Sequence, residues 1–367
     1  MVVNRVALFF LFSSILTCAV AQRSEPLQQG PFNIGYKVVA IPYFNSDHSS
    51  DTIQIILNLW YPIEEKSGAR MRLLDYLHIH KKFLPAEQYN AFAESANTQF
   101  KKFIDSNFGR PDSLQWQDLT RKSTPAFYNA PYSKAFPLIV GRLRAFSTTY
   151  TNEFLASHGY VICMINGVED FPPDNRPMYH RQVSREIEYY DVVRKYLSSI
   201  KIVTDKAGLM GFSGGGFSQF FIPMHQGNYD AVALLESGIF LDGDLFDIVS
   251  AHPYFNPQKF NTPLLFFYNK QRFEANKASM NFHRLNTNEK YLVLFDDREQ
   301  HHWDFATEGI ASALFLQNRP EATAANQAKN FMVMNNLLLQ FFDRYLKGND
   351  NFKLSNGATT IIDPKGW

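Results

Sequence analysis

The six residues Gly211-Phe212-Ser213-Gly214-Gly215-Gly216 contain the pattern Gly-x-Ser-x-Gly. A short apolar run, Ala207-Gly208-Leu209-Met210, precedes them, and Phe217-Ser218-Gln219-Phe220-Phe221 follows with helical character. A strand, a sharp glycine-flanked turn and a helix would lift the Ser213 hydroxyl above a sheet, at a helix N-terminus that favours negative charge. Glycines suit such a turn because its crowded backbone leaves no room for larger side chains. The chemistry implied is attack of the serine oxygen on a carbonyl carbon, with a covalent acyl intermediate.

Serine is a weak nucleophile at its ordinary pKa and needs a base, an acid to orient that base, and donors for the developing oxyanion. On turns of this kind the triad runs serine, acid, histidine along the chain. The loop Asp296-Asp297-Arg298-Glu299-Gln300-His301-His302-Trp303-Asp304 follows the last core strand and offers two histidines, His301 and His302. With no cysteine or further histidine at ligand spacing, this cluster does not read as a metal site. Glu236 follows the apolar run Ala231–Leu235 directly, where a carboxylate is costly without a partner; Glu274 lies farther on, after the next strand. Glu236 is the preferred acid. One oxyanion donor is expected to be the backbone N–H of Gly214. The second is expected from the loop Gly141-Arg142-Leu143-Arg144.

The elements that must position these groups follow from hydrophobic patterning. Strands are expected at Phe32–Ala40, Thr52–Tyr61 (stopped by Pro62), Phe136–Val140, Tyr160–Ile165, Ala207–Met210, Ala231–Leu235, Pro263–Tyr268 and Tyr291–Phe295. Helices are expected at Ala86–Ser106, before Gly159, at Arg181–Ser199 and at about Ala325–Leu346. The last has an apolar face of Leu337, Leu338, Phe341, Phe342 and Leu346. Strands alternating with helices predict a mostly parallel sheet covered on both faces. Residues 63–131 are polar and aromatic and read as a helical insertion. With the Pro- and Asp-rich loop Phe171–His180, they would wall an acyl pocket.

The 367 residues, 45% hydrophobic and 19% charged, are ordinary globular composition. Arg5, the apolar run Val6–Leu16 and Ala19-Val20-Ala21 predict a signal peptide over residues 1–21, cleaved after Ala21, and so a secreted or periplasmic protein. The run is too short for a good membrane span, and no integral span is expected. Cleavage would remove Cys18 and leave Cys163 alone in an apolar strand, as a core residue with no disulfide. Losing Arg5 takes the 36 basic residues to 35, matching the 35 acidic ones, which argues against nucleic acid as a partner.

Several markers carry a family resemblance: Leu59-Trp60-Tyr61-Pro62, Leu155-Ala156-Ser157-His158-Gly159-Tyr160-Val161, Gly211–Gly215, and Phe342-Asp343-Arg344-Tyr345-Leu346-Lys347-Gly348. From about Asn33 to Lys347 the chain resembles secreted α/β-hydrolases related to platelet-activating-factor acetylhydrolase and dienelactone hydrolase. The resemblance implies an α/β-hydrolase fold over residues 22–350, with residues 351–367 as a tail. It implies that the acid follows the strand after the nucleophile, where Glu236 stands in place of the aspartate common in the family. The family histidine is followed three residues later by phenylalanine, which His302 satisfies with Phe305 and His301 does not. By position the second oxyanion donor is Leu143, with Arg142 where the family has glycine. His158, in its marker, is expected to pack at a helix end.

The function expected is that of a secreted serine hydrolase acting on a small-molecule carboxylic ester, without cofactor or metal. An amidase or peptidase using the same triad, and a non-catalytic binding protein on the same scaffold, are the alternatives.

Overall fold

A computed structural model of the protein describes residues 27–44, 52–142, 145–166, 176–240, 244–275, 282, 284–296, 301–316, 320–350 and 359–362. The signal-peptide reading falls on residues 1–21, outside them.

The strands are β1 (Asn33–Phe44), β2 (Thr52–Ile63), β3 (Ala69–Arg72), β4 (Ser123–Tyr128), β5 (Phe136–Arg142), β6 (Val161–Ile165), β7 (Val203–Phe212), β8 (Ala231–Leu235), β9 (Leu264–Asn269), β10 (Lys290–Phe295) and β11 (Thr359–Ile362). They form one sheet in the order β11-β10-β9-β8-β7-β5-β6-β2-β1-β4-β3. From β6 to β10 neighbouring strands run parallel. β2 joins β6 antiparallel, β1 joins β2 antiparallel, and β11 closes the far edge antiparallel to β10.

The parallel strands are apolar on both faces, and alternation sends successive side chains to opposite sides. In β5, Leu138 and Val140 face one core and Ile139 the other; in β6, Val161, Cys163 and Ile165 face one and Ile162 and Met164 the other. One face is covered by α3 (Thr149–Ser157) and α9 (Glu321–Lys347), the other by α4 (Arg176–Ser199) and α5 (Gly216–His225). On α9 the expected stripe of Leu337, Leu338, Phe341, Phe342 and Leu346 is buried against the sheet. Cys163 is fully buried, and burial pushes its thiol pKa well up. His158 caps α3, with Nδ1 donating to the Phe154 carbonyl at 2.8 Å.

Three details differ from the sequence expectation. Pro62 lies within β2, opposite Ile34, because β2 has already run past Trp60, its last residue paired with β6 (opposite Ile162), and there is no ladder on that side to interrupt. Residues 63–131 do hold helices, α1 (Ala86–Phe108) and α2 (Ser113–Arg121), but also β3 and β4, which extend the sheet beyond β1. These two strands are short and partly polar, β3 at the sheet edge and β4 between it and β1, and carry little periodicity to read. The segment expected as a polar tail supplies β11.

The remaining helices are α6 (Asp244–Ser250), α7 (Lys270–Ala275) and α8 (Thr307–Ala311). The strand order reverses at β5, which has β6 on one side and β7 on the other, and a crevice at the carboxyl ends of such strands is where open parallel sheets hold ligands.

The Phe342 ring is fully buried and packs beside Gly208 of β7. Phe342→Ala is expected to destabilise the fold by about 3–5 kcal/mol, seen as a lower denaturant midpoint with an unchanged slope.

Candidate active site

β7 ends at Phe212, and the next residue, Ser213, has φ 54°, in the left-handed region that non-glycine residues avoid. Such a conformation costs on the order of 1–3 kcal/mol and persists only where the surroundings enforce it. Here they do. A Cβ on Gly211 would sit 2.6 Å from Gly216 Cα, and one on Gly216 would sit 2.5 Å from Ser237 Oγ. Ser213 to Gly215 form a single 3-10 turn and α5 starts at Gly216, so the helix N-terminus opens beside the serine. Ser213 and Gly214 are half-buried.

On the neighbouring strand, β8 ends at Leu235 and Glu236 follows with φ 46°, a second strained position one strand away. Its carboxylate is fully enclosed. Oε2 accepts the Asn269 backbone N–H at 2.9 Å, and Oε1 accepts from the Arg272 guanidinium, which reaches in from α7. Burial pushes the Glu236 pKa up to about 7; Arg272 and the Asn269 N–H pull it down, and Asp304 pushes it up.

Beyond β10 the chain makes a 3-10 turn from His302 to Phe305. Asp304 shapes it: Oδ2 accepts the His301 backbone N–H at 2.8 Å, and Oδ1 accepts from Gln327 of α9 at 2.6 Å. This sends the two histidines apart. His301 is exposed, while the His302 ring stacks on Phe212, with centroids 4.8 Å apart and planes at 22°. Phe103 of α1 meets Trp303 at 4.8 Å, so the helical insertion does reach this site. Burial, with help from Arg272, lowers the His302 pKa to about 4.

β5 ends at Arg142, opposite Gly211 of β7. Its side chain is 2% exposed and pairs with Glu186 of α4 at 2.5 Å. Leu143 lies outside the described residues, as do residues 171–175 of the loop Phe171–His180. Just beyond, Ser147 Oγ donates to Glu308 at 2.7 Å, and the Ser147 carbonyl accepts the Thr307 N–H at 2.8 Å. The segment after β5 is thereby tied to the start of α8, directly after the His302 turn.

Ser213, Gly214, Glu236 and His302 therefore all stand at the carboxyl edge of the parallel strands. The structure does not join them completely. Among the described residues no hydrogen bond links Ser213 to His302 or His302 to Glu236, and His302 Nδ1 is buried without a partner. Catalytic hydrogen bonds commonly tighten only with substrate bound.

Sequence reasoning missed Arg272, the Phe212 stack and the Arg142–Glu186 pair. The stack had a signal, an aromatic residue inside the Gly-x-Ser-x-Gly motif. Arg272 had none, because its partner is 36 residues away and on a different strand. Among the described residues no group of three or more His, Cys, Asp or Glu is arranged to hold a metal, and no helix is long and apolar enough to cross a membrane. A cavity of about 380 Å³ lined by Lys37, Tyr61, Lys82, Asn129, Ala130, Pro131 and Tyr132 lies elsewhere, at the end of β2 that passes the start of β6.

No family model matches the chain. No curated protein matches it either. Among solved structures, it is similar to a ferulic acid esterase from Streptomyces cinnamoneus, with TM-score 0.58 and 17% identity over 90% of this chain and 96% of that one. It also aligns with the AtxE2 isopeptidase, in apo form (TM-score 0.47, 12% identity, 87% of this chain) and in a variant (TM-score 0.48, 11% identity, 86% of this chain), spanning 41% of that protein in each case. The isopeptidase likeness is too slight to argue from; the esterase likeness, with the parallel sheet and the strained serine turn, establishes the α/β-hydrolase fold.

Proposed function

We propose that this chain is a serine hydrolase that cleaves a carboxylic ester, of the platelet-activating-factor acetylhydrolase and dienelactone hydrolase kind, and that it acts outside the cytoplasm. The observation that carries this reading is Ser213, held in the left-handed region between a buried strand and a helix N-terminus. Close packing of Gly211 against Gly216 enforces that strain, and the resulting turn lifts the hydroxyl to the edge of the sheet as a nucleophile turn does. The esterase of similar fold supports the reading at the level of scaffold.

The roles follow from position. Ser213 Oγ attacks the ester carbonyl carbon as His302 takes its proton. Glu236 holds the imidazole and stabilises its cation. The oxyanion is met by the N–H of Gly214 and, from the loop after β5, that of Leu143. The alkoxide leaves with the proton from His302, and water then cleaves the acyl-enzyme by the same route. His302 is chosen over His301 because its ring lies against Phe212, beside the nucleophile, whereas His301 points to solvent. The engagement of Glu236 by Arg272 and the unpartnered His302 Nδ1 favour one alternative, a non-catalytic binding protein.

A fluorophosphonate probe separates these. It is expected to label the wild type and not Ser213→Ala, and Ser213→Ala is expected to lose about 10⁴-fold or more in kcat on short-chain nitrophenyl esters. Absence of both labelling and turnover in the wild type would point to the binding protein.

His302→Ala is expected to fall about as far as Ser213→Ala, and His301→Ala by less than about tenfold. The reverse order would move the base to His301.

Turnover requires neutral His302 and ionised Glu236. With His302 lowered to about 4 and Glu236 raised to about 7, Glu236 sets the acid limb. The pH profile of kcat/KM is expected to fall as pH drops through about 7; a limb near 4 would show that Glu236 ionisation is not required.

A further inference from the structure

Glu236 raises a physical problem that the triad by itself does not solve. A carboxylate enclosed on all sides is unstable as an anion unless donors replace its lost water. Two donors do so, the Asn269 N–H at 2.9 Å and the Arg272 guanidinium.

Arg272 is itself held in place. Its backbone N–H donates to Asn269 Oδ1 at 3.1 Å, and its guanidinium lies over the Tyr268 ring, 5.5 Å from the centroid. The start of α7 is tethered to the end of β10, where Asp296 accepts from Lys270 at 3.0 Å and from Gln271 at 3.1 Å. Arg272 is 44% exposed while Glu236 is enclosed, so the side chain brings a solvated charge to the edge of a dry site.

Resting on the reading that Ser213, His302 and Glu236 act together, we infer that Arg272 is a positioning residue, holding Glu236 ionised and oriented to receive His302. A carboxylate oxygen has two acceptor sites, so Glu236 can accept a hydrogen bond from the His302 Nδ1–H while it keeps both present donors. The buried Nδ1 without a partner is the atom this contact would satisfy.

The groups facing Glu236 are Arg272 from α7, Tyr268 and the Asn269 N–H from β9, and Asp304 from the turn after β10. Of these, Arg272 brings positive charge and Asp304 opposes it. Removing Arg272 raises the Glu236 pKa. It also removes a positive charge that disfavours the imidazolium of His302, raising that pKa too. Both changes move the acid limb the same way, to higher pH.

The test compares Arg272→Met, Arg272→Gln and Arg272→Lys in the full chain on a short-chain nitrophenyl ester. In the methionine and glutamine variants the acid limb of kcat/KM is expected to move up by about one to two pH units, so activity at pH 6 falls about 10–100-fold and recovers at alkaline pH. Arg272→Lys is expected to keep the limb near the wild-type position. If Arg272→Met does not fold, Arg272→Gln gives the same comparison. An unmoved limb, or an equal loss at every pH with a lowered melting temperature and no rescue by lysine, overturns the inference and leaves Arg272 a structural contact. Fluorophosphonate labelling tells the two failures apart. If Ser213 is labelled and required, only the role of Arg272 falls; if Ser213→Ala turns over as the wild type does, the triad reading falls and this inference with it.

Discussion

β7 must pass from a strand buried on both faces into a helix within three residues, and there is almost no room in which to do it. A Cβ on Gly211 would strike Gly216, and one on Gly216 would strike Ser237, so neither position tolerates one without displacement. With those two positions packed against each other, Ser213 between them is forced to φ 54°. The same crowding seats α5 on its face of the sheet and brings Ser237, just past the end of β8, against Gly216. The position of Glu236, one residue before Ser237, is thus a consequence of the turn that exposes the serine. Ser213 and Glu236 are thus set on two neighbouring strands by the same local crowding.

Charge is then arranged around that constraint. On one side of the serine turn stands the buried Arg142–Glu186 pair, from β5 and α4; on the other stands Glu236 with Arg272, from β8 and α7. Buried ion pairs seldom add net stability, since desolvation offsets the attraction. Here the enclosed Arg142–Glu186 pair and the half-exposed Arg272 on the enclosed Glu236 fix oriented charge on either side of the serine turn. The tie from Ser147 to Thr307 and Glu308 binds the segment after β5 to the start of α8, next to the turn that carries His302.

Much of this could be read without coordinates, for an identifiable reason. The central strands are apolar on both faces, so their runs stand out, and Ala231–Leu235 coincides with β8 to the residue. Helix periodicity exposed the buried stripe of α9, and the glycines around Ser213 announced the turn. What stayed hidden was either short or non-local. β3 and β11 lie at the sheet edges and β4 lies next to β3; β3 and β11 are only four residues long, and in β3 and β4 few residues are buried. Arg272 looks like any surface arginine until β8 and β9 are placed side by side. The choice between His301 and His302 depends on how Asp304 and Gln327 wind the turn, and Gln327 lies 23 residues beyond Asp304, on a separate helix.

The last strand in chain order has a consequence for assembly. β10 is paired on one side by β9, but its other side is closed only by β11, which comes after the long helix α9. As the chain is synthesised, the parallel sheet and its covering helices are complete before that border is sealed. Until residues 359–362 emerge, β10 offers an open row of backbone donors and acceptors, a template for a strand from another chain. A polypeptide stalled or clipped in this interval would already hold every proposed catalytic residue, yet carry an adhesive edge. The final strand replaces that six-residue edge with one of four residues, and short edge strands are poor templates for pairing.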